Sequence, residues 1–307
     1  MTNFGIWSRV NSIIDDSLKK NAKTLPQLIE NAFENSTLKK YKPAWLKWLE
    51  WVSKFDKVNP CPADPLHVAL YMNDIVTRDQ KVGALTSAVL GIRWGHISSG
   101  LYSPTENPLV KLVLEGGQRM LAKNTIKNQK DTLSQEIITK IINKVATSEN
   151  ILEIRNVVLI LLGFSGFMRI SELLPLKVKH INFTESGMKI YIEKSKVDQL
   201  REGNTIFISR LDSDNCPVYW LNRYLNLSFL TRNSENYIFS RLFKTKNGHK
   251  ANGAYSISYT TALDSLRKHP PDSVDPRSFG THSLRSGGAS AAANENVSDR
   301  LISKHGR

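Results

Sequence analysis

Apolar positions in the first third of the chain recur every three or four residues. After Ser36, the residues Tyr41, Trp45, Trp48, Trp51 and Phe55 share one helical face, with Lys39, Lys40, Lys42 and Lys47 between them. The spacing predicts an amphipathic helix with an aromatic stripe. Such a stripe is more often core than ligand platform, and the intervening lysines remain able to touch phosphates. Cys61-Pro62-Ala63-Asp64-Pro65 breaks the helix, and Asp64 or Pro65 opens another that runs through His67, Leu70, Tyr71 and Ile75. Further helices are predicted over 81–96 and 108–121. A polar stretch follows, carrying Lys123, Lys127 and Lys130, and it is the best linker candidate in the chain.

The helical period returns over 136–145 and 151–166. The second segment is so apolar at 157–162 that it must be buried. Residues 188–193 and 204–208 alternate apolar and polar around a turn near Gly203, which predicts a β-hairpin or three-stranded edge. Cys216-Pro217 opens a helix through Trp220 and Tyr224, 236–239 reads as a short strand, and 256–268 as a helix. The final helix begins near His282 and continues through the alanines at 289–293. The fold class is therefore mainly α with a small antiparallel β-sheet. It divides into a leader (1–25), a helical domain (26–121), a linker (122–131) and a second domain (132–307).

Charge sharpens this picture. The formal net charge of +14 and a pI near 9.7 point toward a polyanion, and the excess divides evenly between 1–130 and 131–307. Cys61 and Cys216 are too few for a disulfide framework or a zinc ligand set, so a reducing interior is expected. No run reaches the roughly 18 apolar residues of a membrane span, and residues 1–20 lack a signal-peptide core. The expectation is a cytoplasmic or nuclear protein that needs no membrane.

The chemistry concentrates in two segments. Arg169, in Gly166-Phe167-Met168-Arg169-Ile170-Ser171-Glu172, ends a buried apolar helix, where a charge is costly unless Glu172 holds it. A structural ion pair is one reading; a guanidinium fixed by its neighbour and aimed at phosphate is the other. In Thr281-His282-Ser283-Leu284-Arg285-Ser286-Gly287-Gly288, the residues His282 and Arg285 share a helical face, and the small residues after them permit close backbone approach. Lys196, on the turn after the first strand of the hairpin, is either solvated or a proton donor to a departing oxygen.

Taken in order, Arg169 in Arg-x-Ser-Glu-Leu, Lys196 in Ser-Lys-x-Asp-Gln and His282-x-x-Arg285 followed by Ser-Gly-x-Ala resemble the tyrosine recombinase (phage integrase) family over roughly 132–307. The upstream helices more loosely resemble its core-binding domain. The resemblance implies a helical core-binding domain plus a catalytic domain that together clamp double-stranded DNA. A tyrosine would attack a phosphodiester to leave a 3′-phosphotyrosyl bond and a 5′-hydroxyl, with no cofactor or metal. Arg169 and Arg285 would hold the non-bridging oxygens, His282 would bind phosphate or move a proton, Lys196 would be the general acid, and Glu172 would support Arg169. Lys39, Lys40, Lys42, Lys123, Lys127 and Lys130 are the expected DNA contacts, and a homotetramer on DNA is the family's assembly.

The pattern also departs from the family. There a third-box His or Trp and then the nucleophilic Tyr follow the second arginine. The family's spacing puts that box just past Arg307, and no tyrosine follows Tyr259. His305 lies too early and reads as the residue leading into the box. The chain as it stands is thus expected to be inactive. A fragment of a longer enzyme is the favoured explanation, with a domesticated or degenerate DNA-binding protein as its rival. A type IB topoisomerase-like enzyme is a third reading.

Overall fold

Asp15 sets the start of the first long helix, its side chain accepting a hydrogen bond from the Leu18 amide, one of the donors that every helix start leaves open. The computed structural model describes residues 4–78, 81–123, 130–193, 203–246, 248–268 and 275–306. The chain forms two compact units, 1–127 and 128–307.

In the first unit a short 3-10 segment precedes α1 (Asp16–Asn31), α2 (Asn35–Val52), α3 (Pro65–Thr77), α4 (Val82–Ser98) and α5 (Pro108–Lys123). Asp64 caps α3 through the Leu66 amide, and Pro65 occupies its first turn. The aromatic stripe of α2 resolves into core: Trp45 and Trp48 are buried with Tyr71, Met72, Leu85 and Ile92. Trp51 stacks on Trp48 at 5.6 Å, and its indole N–H donates to Asp74 at 2.9 Å. Phe55 lies beyond the helix end and is exposed. The polar N-terminus differs from the leader read in the sequence. α1 runs unbroken across residues 25 and 26, where a boundary was placed, and Trp7 is buried ahead of it. The cause is amphipathicity without depth: Leu18, Leu25 and Leu28 stay exposed, so the stripe carries little burial signal.

The second unit is built around α7 (Ile151–Ser165), which follows α6 (Gln135–Val145). Ser134 caps α6 and Asn150 caps α7. Residues 157–162 of α7 are buried on every side, which explains their unbroken hydrophobicity. After α8 (Ile170–Leu173) comes the three-stranded antiparallel sheet of β1 (Ile181–Phe183), β2 (Gly187–Ile192) and β3 (Asn204–Ser209). Ile190 sits opposite both Ile181 and Ile206, so an aliphatic row crosses one face of the pleat. Then follow α9 (Pro217–Ser228), a second hairpin of β4 (Ser240–Thr245) and β5 (Gly248–Ser256), α10 (Tyr259–Arg267), α11 (His282–Asn294) and α12 (Asp299–Gly306). Helices α6, α9, α10 and α11 pack around α7.

The second hairpin corrects the sequence reading. Residues 236–239 contribute only a single bridge, Tyr237 with Lys177, and ladder pairing begins at Ser240. β5 was unreadable because its glycines, alanines and asparagine carry little strand propensity. The helix expected from 256 begins three residues later, where Ser258 caps it. The last helix ends at Asn294, Asn296 adopts a left-handed backbone (φ 59°), and α12 begins anew. Lys127 and Lys196 lie outside the described residues.

Helix α11 approaches α7 so closely that a Cβ at Gly288 would sit 2.1 Å from the Phe164 carbonyl oxygen. Gly116, exposed in mid α5, has open space at its Cβ position. Gly288→Ala is therefore expected to destabilise the second unit by about 1–3 kcal/mol. Gly116→Ala should stabilise the first by about 0.5–1 kcal/mol. Thermal and urea unfolding of both variants checks the opposite signs.

Candidate phosphate-binding site

Gly166 ends α7, and the chain then turns through Phe167, whose backbone is left-handed at φ 46°, before α8 begins. An L-residue with a bulky side chain seldom holds that conformation, so the surrounding contacts must impose it. They are visible on both sides of the turn: the Phe167 carbonyl accepts a hydrogen bond from Arg285 Nη1 at 2.8 Å, and its ring packs edge-on against His305 at 4.7 Å.

Arg169 is the N-cap of α8. Its amide donates to Glu172 Oε2 and its Nη1 to Oε1, both at 2.8 Å. One carboxylate thus caps a helix and orients a guanidinium at once. The Glu172 side chain is 1% exposed and that of Arg169 20%, so the pair is largely withdrawn from water. The ion pair read from the sequence is present, formed within the first turn of α8.

Arg285, on the second turn of α11, is brought to the same place. Burial first, and then the adjacent Arg169 guanidinium, push Arg285 below the ordinary arginine range, while Glu172 pulls the other way. Two cations are held near each other in a partly dehydrated setting with one carboxylate acting on both, an arrangement whose electrostatic deficit an anion would relieve.

His282 opens α11 and is exposed, three residues from Arg285 and on the same helical face. The segment before it is fixed from two directions. The Gly280 amide donates to Ser283 Oγ at 2.9 Å, and the hydroxyls of Tyr259 and Thr281 lie 3.2 Å apart.

Sequence reasoning missed Phe167 and assigned no part to α12. His305 hydrogen-bonds the Ser165 carbonyl at 2.9 Å, and a Cβ at Gly306 would lie 3.3 Å from Arg285 Nη2. The end of α12 therefore packs on the turn that positions Arg285. The helix stop at Gly166 was the available signal for a special turn; nothing local foretold the long-range contact.

The first unit carries a separate basic groove of about 680 Å³, lined by Lys39, Lys40, Lys47, Lys54, Arg78 and Trp51 among others. Lys42 instead pairs with Glu30 at 2.8 Å. Lys123 is exposed at the end of α5. Lys130, in the second unit, donates to the Arg277 carbonyl at 2.6 Å.

Comparison with known proteins agrees with this geometry. The phage integrase family model matches residues 131–306. The chain is 25% identical to an integrase/recombinase xerD homolog of Selenomonas ruminantium, over 97% of this chain and 85% of that protein. It is 24% identical to the recombinase cre of Escherichia phage P1, over 82% and 71%. In fold it is similar to the XerH site-specific recombinase bound to palindromic difH substrate, with a TM-score of 0.55 and 16% identity, covering 88% of this chain and 72% of that one.

Removing the Glu172 carboxylate leaves a partly buried guanidinium and a helix-start amide without this acceptor. Glu172→Ala is expected to lower the stability of the second unit by about 1–3 kcal/mol, and Glu172→Gln by less, because the amide oxygen retains one bond. Denaturant unfolding monitored by Trp220 fluorescence gives both values.

Proposed function

Because the chain belongs to the phage integrase (tyrosine recombinase) family, we propose that it binds double-stranded DNA and holds one backbone phosphodiester between Arg169 and Arg285, in the service of DNA integration or site-specific recombination. The observation that carries this reading is the enforced proximity of the two guanidiniums. Each is tied down by a neighbour, Glu172 for Arg169 and the Phe167 carbonyl for Arg285, so each meets a phosphate with its orientation already set. A planar guanidinium matches the non-bridging oxygens of a phosphodiester, and a pair of them offsets the extra charge that builds as phosphorus becomes five-coordinate.

In the reaction of such a site, a tyrosine oxygen bonds to phosphorus while the bond to the 5′ oxygen breaks. Lys196 supplies the proton that the departing oxygen takes, and His282 binds phosphate or moves the nucleophile's proton. Within these 307 residues the last tyrosine is Tyr259, upstream of His282 and Arg285. In this reading Arg169 and Arg285 bind and polarise the phosphate, and no tyrosine at or before Tyr259 is assigned as the attacking group. The net charge of +14 and the lysines of the α2 groove add the sequence-independent attraction that duplex binding requires. Lys39, Lys40, Lys42, Lys123, Lys127 and Lys130 are the proposed contacts outside the arginine pair, and a homotetramer on DNA is the proposed assembly.

Arg285→Ala is expected to weaken duplex binding and to reduce the slope of log K against log salt by about 1. Binding by fluorescence anisotropy over a KCl series measures this, and an unchanged slope removes Arg285 from the phosphate. A suicide duplex that traps 3′-phosphotyrosyl adducts should give no covalent product with the 307-residue chain; a trapped adduct would show that a tyrosine within it attacks.

A further inference from the structure

Arg155 carries a charge into the interior of the second unit without a carboxylate to meet it. It lies in the body of α7 and is 2% exposed. Its Nη1 donates to the Ser240 carbonyl at 3.1 Å and its Nη2 to Asn156 Oδ1 at 3.4 Å, both neutral acceptors. Among the described residues it forms no ion pair, and the ionisable side chain that acts on it is the Tyr224 phenol. Burial pushes its guanidinium below the ordinary arginine range. A buried lysine or histidine could answer such a setting by giving up its proton, but arginine keeps its own.

Three polar groups meet at this place with capacity unused. The Nε–H of Arg155 and the hydroxyls of Tyr224 and Ser240 are buried and have no hydrogen-bond partner. They come from α7, from α9 and from the first residue of β4, and α9 packs directly on α7. Burial pushes the Tyr224 phenol up to about 12, against the pull first of the Arg155 guanidinium and then of the Ser240 hydroxyl. Those pulls mark both groups as neighbours of the phenol, and the phenol remains a proton donor throughout the neutral range. Leaving three such groups idle in a dry interior is costly, and leaving the charge unmatched costs more.

We propose that the junction of α7, α9 and β4 is an internal binding site for a small monovalent anion of the halide class, held by Arg155 Nε–H, the Tyr224 hydroxyl and the Ser240 hydroxyl. All three groups can donate to one centre, and a single negative charge offsets the single guanidinium. The low dielectric of the surroundings strengthens that attraction. A water molecule would meet the hydroxyls but leave the charge in place, and a tetrahedral oxyanion would bring more acceptor oxygens than the junction has free donors. The site is separate from the pair Arg169 and Arg285 and does not depend on the DNA reading. Its anion would pin the start of the second hairpin to α7, so the stability of the second unit becomes linked to halide concentration.

The test is thermal unfolding of the full chain, followed by circular dichroism, as sodium chloride replaces sodium gluconate at fixed ionic strength. The melting temperature of the second unit is expected to rise by about 3–5 °C per tenfold increase in chloride once the dissociation constant is exceeded. In a variant carrying Tyr224→Phe and Ser240→Ala the rise should vanish over the same range. Tyr224→Phe alone, which keeps the ring and guards against loss of the fold, should show a smaller rise than the parent. Arg285→Ala should keep the full rise. Crystals grown in sodium bromide should show an anomalous peak bounded by Arg155, Tyr224 and Ser240. Equal melting temperatures in chloride and gluconate, or a water oxygen in place of bromide, overturn the proposal. A chloride effect that survives Tyr224→Phe undiminished and disappears in Arg285→Ala assigns the halide to the phosphate pocket and overturns it as well.

Discussion

Two like charges brought together out of water are the constraint on which the second unit is organised. Arg169 and Arg285 lie more than a hundred residues apart in sequence, and burial first, then the Arg169 guanidinium, lower Arg285's preference for being protonated. The fold tolerates this because Glu172 is given over to Arg169 through both of its oxygens, and because a main-chain carbonyl takes the other guanidinium. The rest of the unit serves that meeting. The saturated hydrophobicity of α7 makes an immovable post, Gly288 of α11 allows that helix to lie against the post, and the strained turn at Phe167 presents its oxygen where Arg285 arrives. A site preorganised in this way spends little further ordering when its anion binds, which is the physical advantage of paying the repulsion during folding.

Much of this was readable before any coordinates. Helices α2 through α6 follow from three- and four-residue spacing and β2 and β3 from strict alternation, because burial on one face leaves a periodic imprint, while α7 shows as an unbroken apolar run. Arg169 and Glu172 stood out because a charge beside a long apolar run demands an explanation, and His282 and Arg285 because they share one helical face ahead of a run of small residues. What sequence did not yield falls into two kinds. The β4–β5 ribbon is mostly solvated, so it carries no burial rhythm, and its strand character comes from ladder pairing. Phe167, His305 and Gly306 act through contacts with Arg285 or with one another over long sequence separations, and no local pattern encodes such a meeting.

The two units divide the work of meeting a polyanion in different ways. In the first, cations line an open groove around a tryptophan-backed helix, and Trp51, from the stripe read as core, forms part of its wall. Diffuse attraction of this kind is exposed to salt and weakly directional. In the second, charge is scarce at the pocket but geometrically committed. Net charge alone would not distinguish the two, since the excess is equal in both halves of the sequence.

The anchors of the two guanidiniums differ in one respect with a genetic consequence. Arg169 leans on a side chain, so a single codon change at Glu172 erases its support. Arg285 leans on a peptide oxygen, which every amino acid at position 167 possesses. Point mutation there can alter how readily the backbone bends, but cannot delete the acceptor itself. The pocket is thus half editable and half written into the main chain, and drift should erode the Arg169 side first.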